Sequence, residues 1–285
     1  MKKSSKKEIR KEEYHSPYHG LFFKVKKVHF NEKSPFQKIE VIENDFFGKI
    51  LIIDNLVQTT EKDEFFYHEM LIHPAFTTHP SPQKILIIGG GDGGALREVL
   101  RYQVKEVVLI EIDEKVIEAS RKFFPNLSHS FKDKRVKVII ANAAEYIKKL
   151  REKFDIVIVD SSDPVGPSKA LFQKEFFSSL KKIVKKDGII IAQTGSPLYH
   201  KKIIKELNKF LKKIYKIVKF YISPVPTYPS GIWSFVYLSE NINPLDIKRK
   251  EPSNLKYYNK DIHLTSFTLP NFIKEILYSY RENLL

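Results

Sequence analysis

The stretch Ile85-Leu-Ile-Ile-Gly89-Gly-Gly91-Asp92-Gly-Gly94 is the strongest indication of the fold in this chain. Its apolar run turns into glycines, and the helix-forming segment Ala95-Leu-Arg-Glu-Val-Leu100 follows directly. A strand, a glycine-rich turn and a helix form the βα unit that binds nucleotides, because glycine permits a tight turn and a close approach of the ligand. The N-terminus of the helix then offers unpaired N–H groups to that ligand.

A second apolar run strengthens this interpretation. The stretch Val107-Val-Leu-Ile-Glu111-Ile-Asp113 places an acid about 20 residues after the glycines, where dinucleotide-binding proteins carry the carboxylate that binds ribose. The sequence therefore favours nucleotide binding over a purely structural glycine turn. Asp92 lies inside the glycine loop, where it would repel a pyrophosphate, so a nucleoside with positive charge fits better than a dinucleotide.

The hydrophobic pattern from residue 84 onward predicts a parallel sheet that is covered on both faces, because continuous apolar strands alternate with helices. The predicted strands are 84–88, 106–111, 136–140, 154–160, 188–193, 215–222 and 232–238. The predicted helices are 94–102, 114–123, 143–150, 172–184, 199–213 and 272–280.

The residues before this region have a different pattern. Alternation of apolar and polar side chains predicts half-buried antiparallel strands over 23–29, 37–43, 50–53 and 56–59, with turns at Asn44-Asp45 and Asp54-Asn55. A helix over 61–72 follows, and Pro74 is expected to break it. We therefore predict two domains: a small N-terminal antiparallel β-domain in residues 1–60 and a Rossmann-like α/β domain in residues 61–285.

The composition limits the classes of protein to which the chain can belong. Its 285 residues contain no cysteine, so disulfides and thiolate metal sites are excluded. No apolar run approaches the roughly 18 residues of a membrane span, and the basic N-terminus lacks the apolar stretch of a secretory signal. We expect a frayed N-terminal tail and a cytoplasmic location.

The net charge of +15 would fit nucleic-acid binding. However, the lysines occur as pairs along predicted helices, which is typical of solvated helix faces rather than of one concentrated patch. These pairs are Lys181-Lys182, Lys185-Lys186, Lys201-Lys202 and Lys212-Lys213. We therefore predict neither a nucleic-acid partner nor a membrane partner.

Acidic residues follow several predicted strands, although the chain as a whole is basic. In an open α/β sheet ligands bind beyond the carboxyl ends of the strands, where the acids are Asp92, Glu111, Asp113, Asp160 and Asp163. Crowded carboxylates are unfavourable unless a cation pairs with them. A divalent metal bound by oxygens and an organic polycation both satisfy this requirement. No histidine is predicted at this rim to complete a transition-metal site, and neighbouring tyrosines suit the methylene groups of an amine.

Four segments together resemble the spermidine synthases, the polyamine aminopropyltransferases. They are Gln58-Thr-Thr-Glu-Lys-Asp-Glu-Phe-Phe-Tyr-His-Glu-Met70, Gly89-Gly-Gly-Asp-Gly-Gly94, Asp160-Ser-Ser-Asp-Pro-Val-Gly-Pro167 and Pro226-Thr-Tyr-Pro-Ser-Gly231. The resemblance implies an N-terminal β-domain followed by a methyltransferase-type Rossmann domain. It also implies transfer of an aminopropyl group from decarboxylated S-adenosylmethionine, a co-substrate, to putrescine, which yields spermidine and methylthioadenosine. No cofactor and no metal are implied, and the expected assembly is a homodimer or homotetramer.

The resemblance assigns roles to four acids. Asp160 would be the catalytic base, because a primary amine with a pKa of about 10 arrives protonated and must lose a proton before it attacks. Asp163 would bind the amine of the acceptor, although an Asp-Pro turn residue is an equally simple explanation. Asp92 would bind the ammonium of the donor, and Glu111 would bind the ribose hydroxyls.

Further residues are implied on both substrates. The residues expected to contact the polyamine or the aminopropyl chain are Gln58, Tyr67, His68 and Tyr228. The residues expected to contact the nucleoside are Gln37, Gly89, Gly91, Asn142, Ala143 and Pro167. A purely structural role remains an open alternative for four of them: a solvated strand position for Gln37 and Gln58, a core position for Tyr67, and a helix surface for His68.

Two departures from the family pattern leave questions about both substrates. Asn142 stands where the family usually has Asp beside the adenine amino group, and Tyr14 lies where the family has a Trp-x-x-Glu motif. The affinity for the donor and the preference for the acceptor therefore stay open. An S-adenosylmethionine-dependent methyltransferase and a polyamine-binding module without turnover are the alternative functions. Asp92 argues against the methyltransferase, and Asp160 argues against the binding module.

Overall fold

The computed structural model describes residues 9–162 and 166–278, and for residues 166 and 167 it describes the backbone only. The strands are β1 Arg10–Ser16, β2 His19–Lys24, β3 Lys27–Lys33, β4 Lys38–Asn44, β5 Gly48–Ile53, β6 Leu56–Thr60, β7 Lys84–Gly89, β8 Glu106–Glu111, β9 Val136–Ile140, β10 Phe154–Asp160, β11 Val184–Gly195, β12 Ile217–Pro224 and β13 Ile232–Ser239. The helices are α1 Glu64–Thr78, α2 Gly94–Val99, α3 Glu114–Phe123, α4 Pro125–Ser128, α5 Ala143–Lys149, α6 Lys174–Ile183, α7 Lys201–Ile214, α8 Lys260–Ser266 and α9 Asn271–Leu277.

Seven strands form the central sheet in the order β12-β13-β11-β10-β7-β8-β9. The five strands β7 to β11 are parallel, as predicted, but β13 pairs antiparallel with both β11 and β12. The connection from β12 to β13 is too short for a crossover helix, which is why this pair is antiparallel. The strand order reverses between β7 and β10, and ligands of open α/β sheets bind at this reversal.

Both faces of the sheet are covered by helices. Ile85 and Ile87 of β7 pack toward α1 and α2, whereas Leu86 and Ile88 pack toward α6 and α7. All four side chains are fully buried. The alternation places successive side chains on opposite faces, so an unbroken apolar run is what a doubly covered strand requires. The predicted α/β fold is confirmed.

The N-terminal region contains two small antiparallel sheets, a β1-β2 hairpin and the four-stranded sheet β3-β4-β5-β6. The prediction of one strand over 23–29 is wrong, because Val25 and Lys26 separate β2 from β3. The predicted turn at Asp54-Asn55 is confirmed, since both residues have positive φ and connect β5 to β6. Apolar residues of β4 and β5 pack on α3 and α4, which joins the four-stranded sheet to the α/β region.

Helix α1 passes through Pro74 and continues to Thr78, so the predicted break at Pro74 is wrong. A proline inside a helix leaves the carbonyl four residues earlier without its N–H partner. That carbonyl belongs to Met70, and it accepts a hydrogen bond from the hydroxyl of Tyr221 at 2.8 Å instead. Both residues are fully buried, so tertiary packing satisfies the group that the local sequence leaves unpaired.

This arrangement predicts energetic coupling between Pro74 and Tyr221. We expect Tyr221→Phe to lower the free energy of unfolding by about 1–3 kcal/mol, because the buried Met70 carbonyl loses its donor. In a Pro74→Ala background the restored backbone N–H can satisfy this carbonyl, so Tyr221→Phe should cost less. Urea unfolding of the four proteins at one protein concentration measures the coupling. An equal cost in both backgrounds would contradict the account of α1.

Candidate active site

A cavity with an open volume of about 920 Å³ lies over the carboxyl ends of β7, β8 and β10 and opens to solvent. The predicted site residues that line it are Gln37, Gln58, Tyr67, His68, Gly89, Gly91, Asp92, Glu111, Asn142, Ala143, Asp160 and Tyr228. Asp163 lies outside the described residues, and so does the side chain of Pro167.

The glycine loop leaves room for the functional side chains around it. A Cβ atom on Gly91 would lie 2.9 Å from Oε2 of Glu111, and one on Gly94 would lie 2.1 Å from Cε1 of His68. Neither distance is possible without displacement of the neighbouring side chain. Glycine at these two positions therefore lets a carboxylate and an imidazole approach the loop closely.

Asp160 lies at the end of β10 and pairs in register with Gly89 of β7. Its Oδ1 accepts a hydrogen bond from the hydroxyl of Tyr67 at 2.7 Å. Burial and the charge of Asp92 raise the pKa of Asp160 to about 6, against the opposing effects of His68 and the Tyr67 hydroxyl. A carboxylate that titrates near neutral pH is suited to accept a proton from a substrate.

His68 lies between two carboxylates. Its Nδ1 is 2.6 Å from Oε2 of Glu64, and its Nε2 is 3.3 Å from Oδ2 of Asp92. Burial lowers the pKa of His68, but Asp92 and Glu64 outweigh burial and raise it well above its ordinary value. The prediction that no histidine lies at this rim is wrong, because α1 brings His68 to the glycine loop.

Arg97 completes this group of charges from α2. Its two terminal nitrogens each lie 2.9 Å from an oxygen of Glu64, in a bidentate pair. Burial raises the pKa of Glu64, but His68 and Arg97 outweigh it and hold this pKa at about 2. Four side chains of alternating charge thus run from the protein interior to the cavity, and we call them the Arg97–Asp92 relay: Arg97, Glu64, His68 and Asp92.

The side chains of His68, Asp92 and Asp160 are close enough to share a cation, since their ligand atoms all lie within 4.8 Å of one another. Nδ1 of His68 faces Glu64 and Nε2 faces Asp92. The two aspartates are also placed to accept hydrogen bonds from an ammonium, which is the cation that the family resemblance implies.

Glu111 lies at the end of β8, and its Oε1 accepts hydrogen bonds from the backbone N–H groups of Ile112 and Asp113 at 2.8 and 3.0 Å. Burial raises the pKa of Glu111 to about 7, although these N–H groups act in the opposite direction. The second oxygen, Oε2, faces Gly91. A fixed carboxylate beside the glycine loop can accept hydrogen bonds from two neighbouring hydroxyl groups.

Asp113 follows β8 at this rim, as predicted, but it does not line the cavity. Its Oδ2 accepts hydrogen bonds from Ser34 Oγ at 2.6 Å and from Gln37 Nε2 at 3.0 Å, and its Oδ1 caps α3. Asp113 therefore fastens the N-terminal sheet to the α/β region. In doing so it fixes the amide of Gln37, which lies at the cavity wall.

The remaining predicted side chains have mainly local partners. Gln58 donates to the carbonyl of Leu56 at 3.0 Å, and the ring of Tyr228 lies 5.5 Å from that of Tyr67. Asn142 is the N-cap of α5, where its Oδ1 accepts from the N–H of Glu145 at 3.4 Å. All of these residues still line the cavity, so their contacts leave a face open to a ligand.

A smaller cavity adjoins the first and shares Tyr67, Tyr228 and Gln58 with it. Its wall includes Glu13, which is 3% exposed and accepts a hydrogen bond from the N–H of Val57 at 2.9 Å. Tyr14, the next residue, is 67% exposed and lines neither cavity. Neither Glu13 nor Glu64 is among the site residues predicted from the sequence. Glu64 lies four residues before His68, and this spacing places Glu64 and His68 on one helix face.

Comparison with known families and proteins agrees with this arrangement. Residues 64–249 match the family described as Spermine/spermidine synthase domain, and residues 11–61 match the Spermidine synthase tetramerisation domain. The chain is 44% identical to the polyamine aminopropyltransferase of Thermoanaerobacter pseudethanolicus, over 89% of this chain and 92% of that protein. It is 43% identical to the polyamine aminopropyltransferase of Methanocaldococcus jannaschii, over 92% and 93% of the two chains.

Two solved structures are also similar to this chain. The crystal structure of spermidine synthase from Thermotoga maritima matches with a TM-score of 0.91 and 41% identity, over 95% of this chain and 94% of that one. A spermidine synthase in complex with the transition state analogue AdoDATO matches with a TM-score of 0.92 and 41% identity, over 94% of each chain. A fold and a sequence that both agree over nearly the whole chain show that it belongs to the spermine/spermidine synthase family, the polyamine aminopropyltransferases.

Proposed function

We propose that the protein transfers the aminopropyl group of decarboxylated S-adenosylmethionine to putrescine, which yields spermidine and methylthioadenosine. One observation carries this proposal: Asp92 and Asp160 lie close together in the wall of a cavity that the glycine loop and Glu111 also line. Asp92 is held ionised, since His68 outweighs burial and lowers its pKa, whereas Asp160 has a pKa of about 6. The pair therefore offers one carboxylate to bind an ammonium and a second to remove a proton.

The reaction requires positioning and one deprotonation. The acceptor ammonium gives a proton to Asp160, and the freed nitrogen lone pair attacks the carbon next to the sulfonium. The C–N bond forms as the C–S bond breaks, and the electron pair of that bond leaves with sulfur in neutral methylthioadenosine. Because a sulfonium is already a good leaving group, correct placement and proton removal supply most of the catalysis.

The roles of the other cavity residues are part of the same proposal. The proposed contacts to the polyamine or aminopropyl chain are Gln58, Tyr67, His68, Tyr228 and Asp163. The proposed contacts to the nucleoside are Gln37, Gly89, Gly91, Glu111, Asn142, Ala143 and Pro167. The cavity lining supports twelve of the fourteen predicted site residues, and the roles of Asp163 and Pro167 stay predictions from the sequence.

The methyltransferase alternative needs a donor that carries a carboxylate. Such a donor would bring this group toward Asp92, and two carboxylates within about 4 Å repel each other strongly in a partly buried site. The family of the chain argues in the same direction. A polyamine-binding module without turnover would have no need of Asp160 with a pKa close to neutral.

We further propose that two or four copies of the chain assemble, in line with the match of residues 11–61 to a tetramerisation domain. In the described residues no helix is both long and apolar enough to cross a membrane. The cytoplasmic location, the homodimer in particular and the absence of a nucleic-acid partner stay predictions, as do the domain boundaries at 1–60 and 61–285.

Replacement of Asp160 tests the base. We expect Asp160→Asn to lower kcat about 10²–10⁴-fold, while methylthioadenosine binds within a few-fold of wild type. In the wild-type protein kcat/KM should rise with pH through about 6, because Asp160 accepts a proton only after it has lost its own. Initial rates between acidic and neutral pH measure both effects.

A matched variant sharpens this test. The Tyr67 hydroxyl lowers the pKa of Asp160, so Tyr67→Phe should move the acid limb of the rate profile to higher pH without abolishing turnover. If Asp160→Asn retains a rate within a few-fold of wild type, or keeps the same acid limb, Asp160 is not the base.

Asp92 is expected to set the selectivity between the two sulfonium donors. Wild type should bind decarboxylated S-adenosylmethionine much more tightly than S-adenosylmethionine, and Asp92→Asn should lose about tenfold or more in affinity for the decarboxylated donor. Competition binding of both donors to both proteins gives the comparison. Methylthioadenosine lacks the ammonium and serves as the control ligand. A wild-type preference for the carboxylated donor would instead support the methyltransferase.

Asn142→Asp restores the residue type that the family usually carries. We expect it to strengthen the binding of methylthioadenosine or to leave it unchanged. An Asp at the N-cap of α5 stabilises the helix as well as Asn does, so the Tm should hardly move. Calorimetric titration gives the affinity. A large loss of affinity with an unchanged Tm would contradict the proposed contact between Asn142 and the adenine amino group.

A further inference from the structure

The Arg97–Asp92 relay is a buried network of charged side chains that extends from α2 to the cavity. Glu64 and His68 are 8% and 2% exposed, and the bidentate contact of Arg97 fixes both oxygens of Glu64. Buried ion pairs contribute little to net stability compared with apolar packing. The relay also ends at the cavity, where Oδ2 of Asp92 faces His68 and Oδ1 accepts from the N–H of Gly94 at 2.8 Å.

The charges of the relay balance before any substrate binds. Arg97 and His68 are cations, and Glu64 and Asp92 are anions, so their sum is zero. Glu98 also contacts Arg97 at 2.7 Å, but its charge is balanced by Arg101, likewise at 2.7 Å. The other titratable groups that face His68 are Asp160 and the ring of Tyr67, the latter 5.4 Å away. A substrate ammonium beside Asp92 would thus meet a buried imidazolium at close range, which is unfavourable because solvent screens His68, 2% exposed, only weakly.

One member of the relay can remove this conflict. Arginine does not lose its proton in proteins, whereas histidine does so readily. If the proton on Nε2 leaves, the proton on Nδ1 remains in the hydrogen bond to Glu64, and Nε2 presents a lone pair toward the cavity. A cation that repels the ammonium then becomes an acceptor for it.

We propose that Glu64 and Arg97 are positioning residues for the donor, and that its ammonium displaces a proton from Nε2 of His68 when it binds beside Asp92. The N–H bond at Nε2 breaks, and the proton passes to solvent through the open cavity. The donor ammonium keeps its own protons and shares them with Asp92 and with Nε2. The inference rests on the proposed function, because it takes the aminopropyl ammonium as the arriving group.

The proposal predicts a proton count that can be measured without turnover. In the absence of an acceptor amine, decarboxylated S-adenosylmethionine is titrated into the protein at about pH 8, where Asp160 and Glu111 are already ionised, since their pKa values are about 6 and 7. Titration calorimetry in two buffers with different ionisation enthalpies gives the protons released. We expect about one proton per site for this donor and almost none for methylthioadenosine, which has no ammonium.

Three variants separate the relay from general structural damage. His68→Gln should abolish the proton release, and Glu64→Gln should reduce it, because the imidazolium loses one of the two carboxylates that hold its proton. Each should weaken donor binding about tenfold, as the loss of one good hydrogen bond to a charged group does. Glu69→Gln is the matched control. It removes a buried charge from the same helix, where the Glu69 carboxylate accepts hydrogen bonds from the backbone N–H groups of Lys256 and Tyr257 at 2.8 Å, and Glu69 does not line the cavity.

The outcomes distinguish this inference from the proposed function. Release of about one proton in wild type and Glu69→Gln, with none in His68→Gln and less in Glu64→Gln, supports the relay. No release in wild type, or an equal release from His68→Gln, overturns it even if mass analysis detects spermidine. Proton release without any product from donor and amines would leave the relay intact and remove the aminopropyltransferase function.

Discussion

The cavity depends on one constraint, the close approach of two carboxylates at the point where the strand order of the sheet reverses. Register pairs Asp160 with Gly89, so Asp160 at the end of β10 must lie over the glycine loop that carries Asp92. Two anions so close together are electrostatically unfavourable in a buried site, and two features of the structure reduce this cost. His68 compensates Asp92, and Asp160 takes a pKa of about 6, so it can be neutral or charged near physiological pH.

The N-terminal sheet serves the same cavity from the opposite side. Leu51 and Ile53 of β5 form part of the cavity wall, and their strand packs on α3 and α4. Asp113 fastens this sheet through Ser34 and Gln37. Asp113, which follows β8, therefore links the N-terminal sheet to the α/β region. Glu111, two residues earlier, remains available to contact the ligand. The two acids have different roles because Glu111 is the last residue of β8, whereas Asp113 lies beyond the strand as the N-cap of α3.

Much of this architecture follows from local pattern. The parallel sheet, the glycine loop and the positions of Asp92, Glu111 and Asp160 come from apolar runs that end in polar residues, and neighbours along the chain determine these features. What could not be predicted depends on contacts between distant segments. The relay needs α1 to pack beside α2, the helix over Pro74 needs Tyr221 from β12, and the burial of Glu13 needs Val57 from β6. No periodicity in the sequence encodes these pairings.

The raised pKa values of Asp160 and Glu111 also connect stability with binding. A carboxyl group whose pKa is higher in the folded than in the unfolded protein binds its proton more tightly when folded. The folded state therefore loses stability as pH rises from the ordinary value toward the folded one, which is about 6 for Asp160 and about 7 for Glu111. At neutral pH the free protein carries this cost almost in full. A bound cation beside Asp92 and Asp160, with ribose hydroxyls on Glu111, adds partners that stabilise the ionised form of both carboxylates. The same electrostatic conflict that lowers the stability of the free protein thus becomes affinity for a cationic nucleoside, which is the usual relation between a strained site and its ligand.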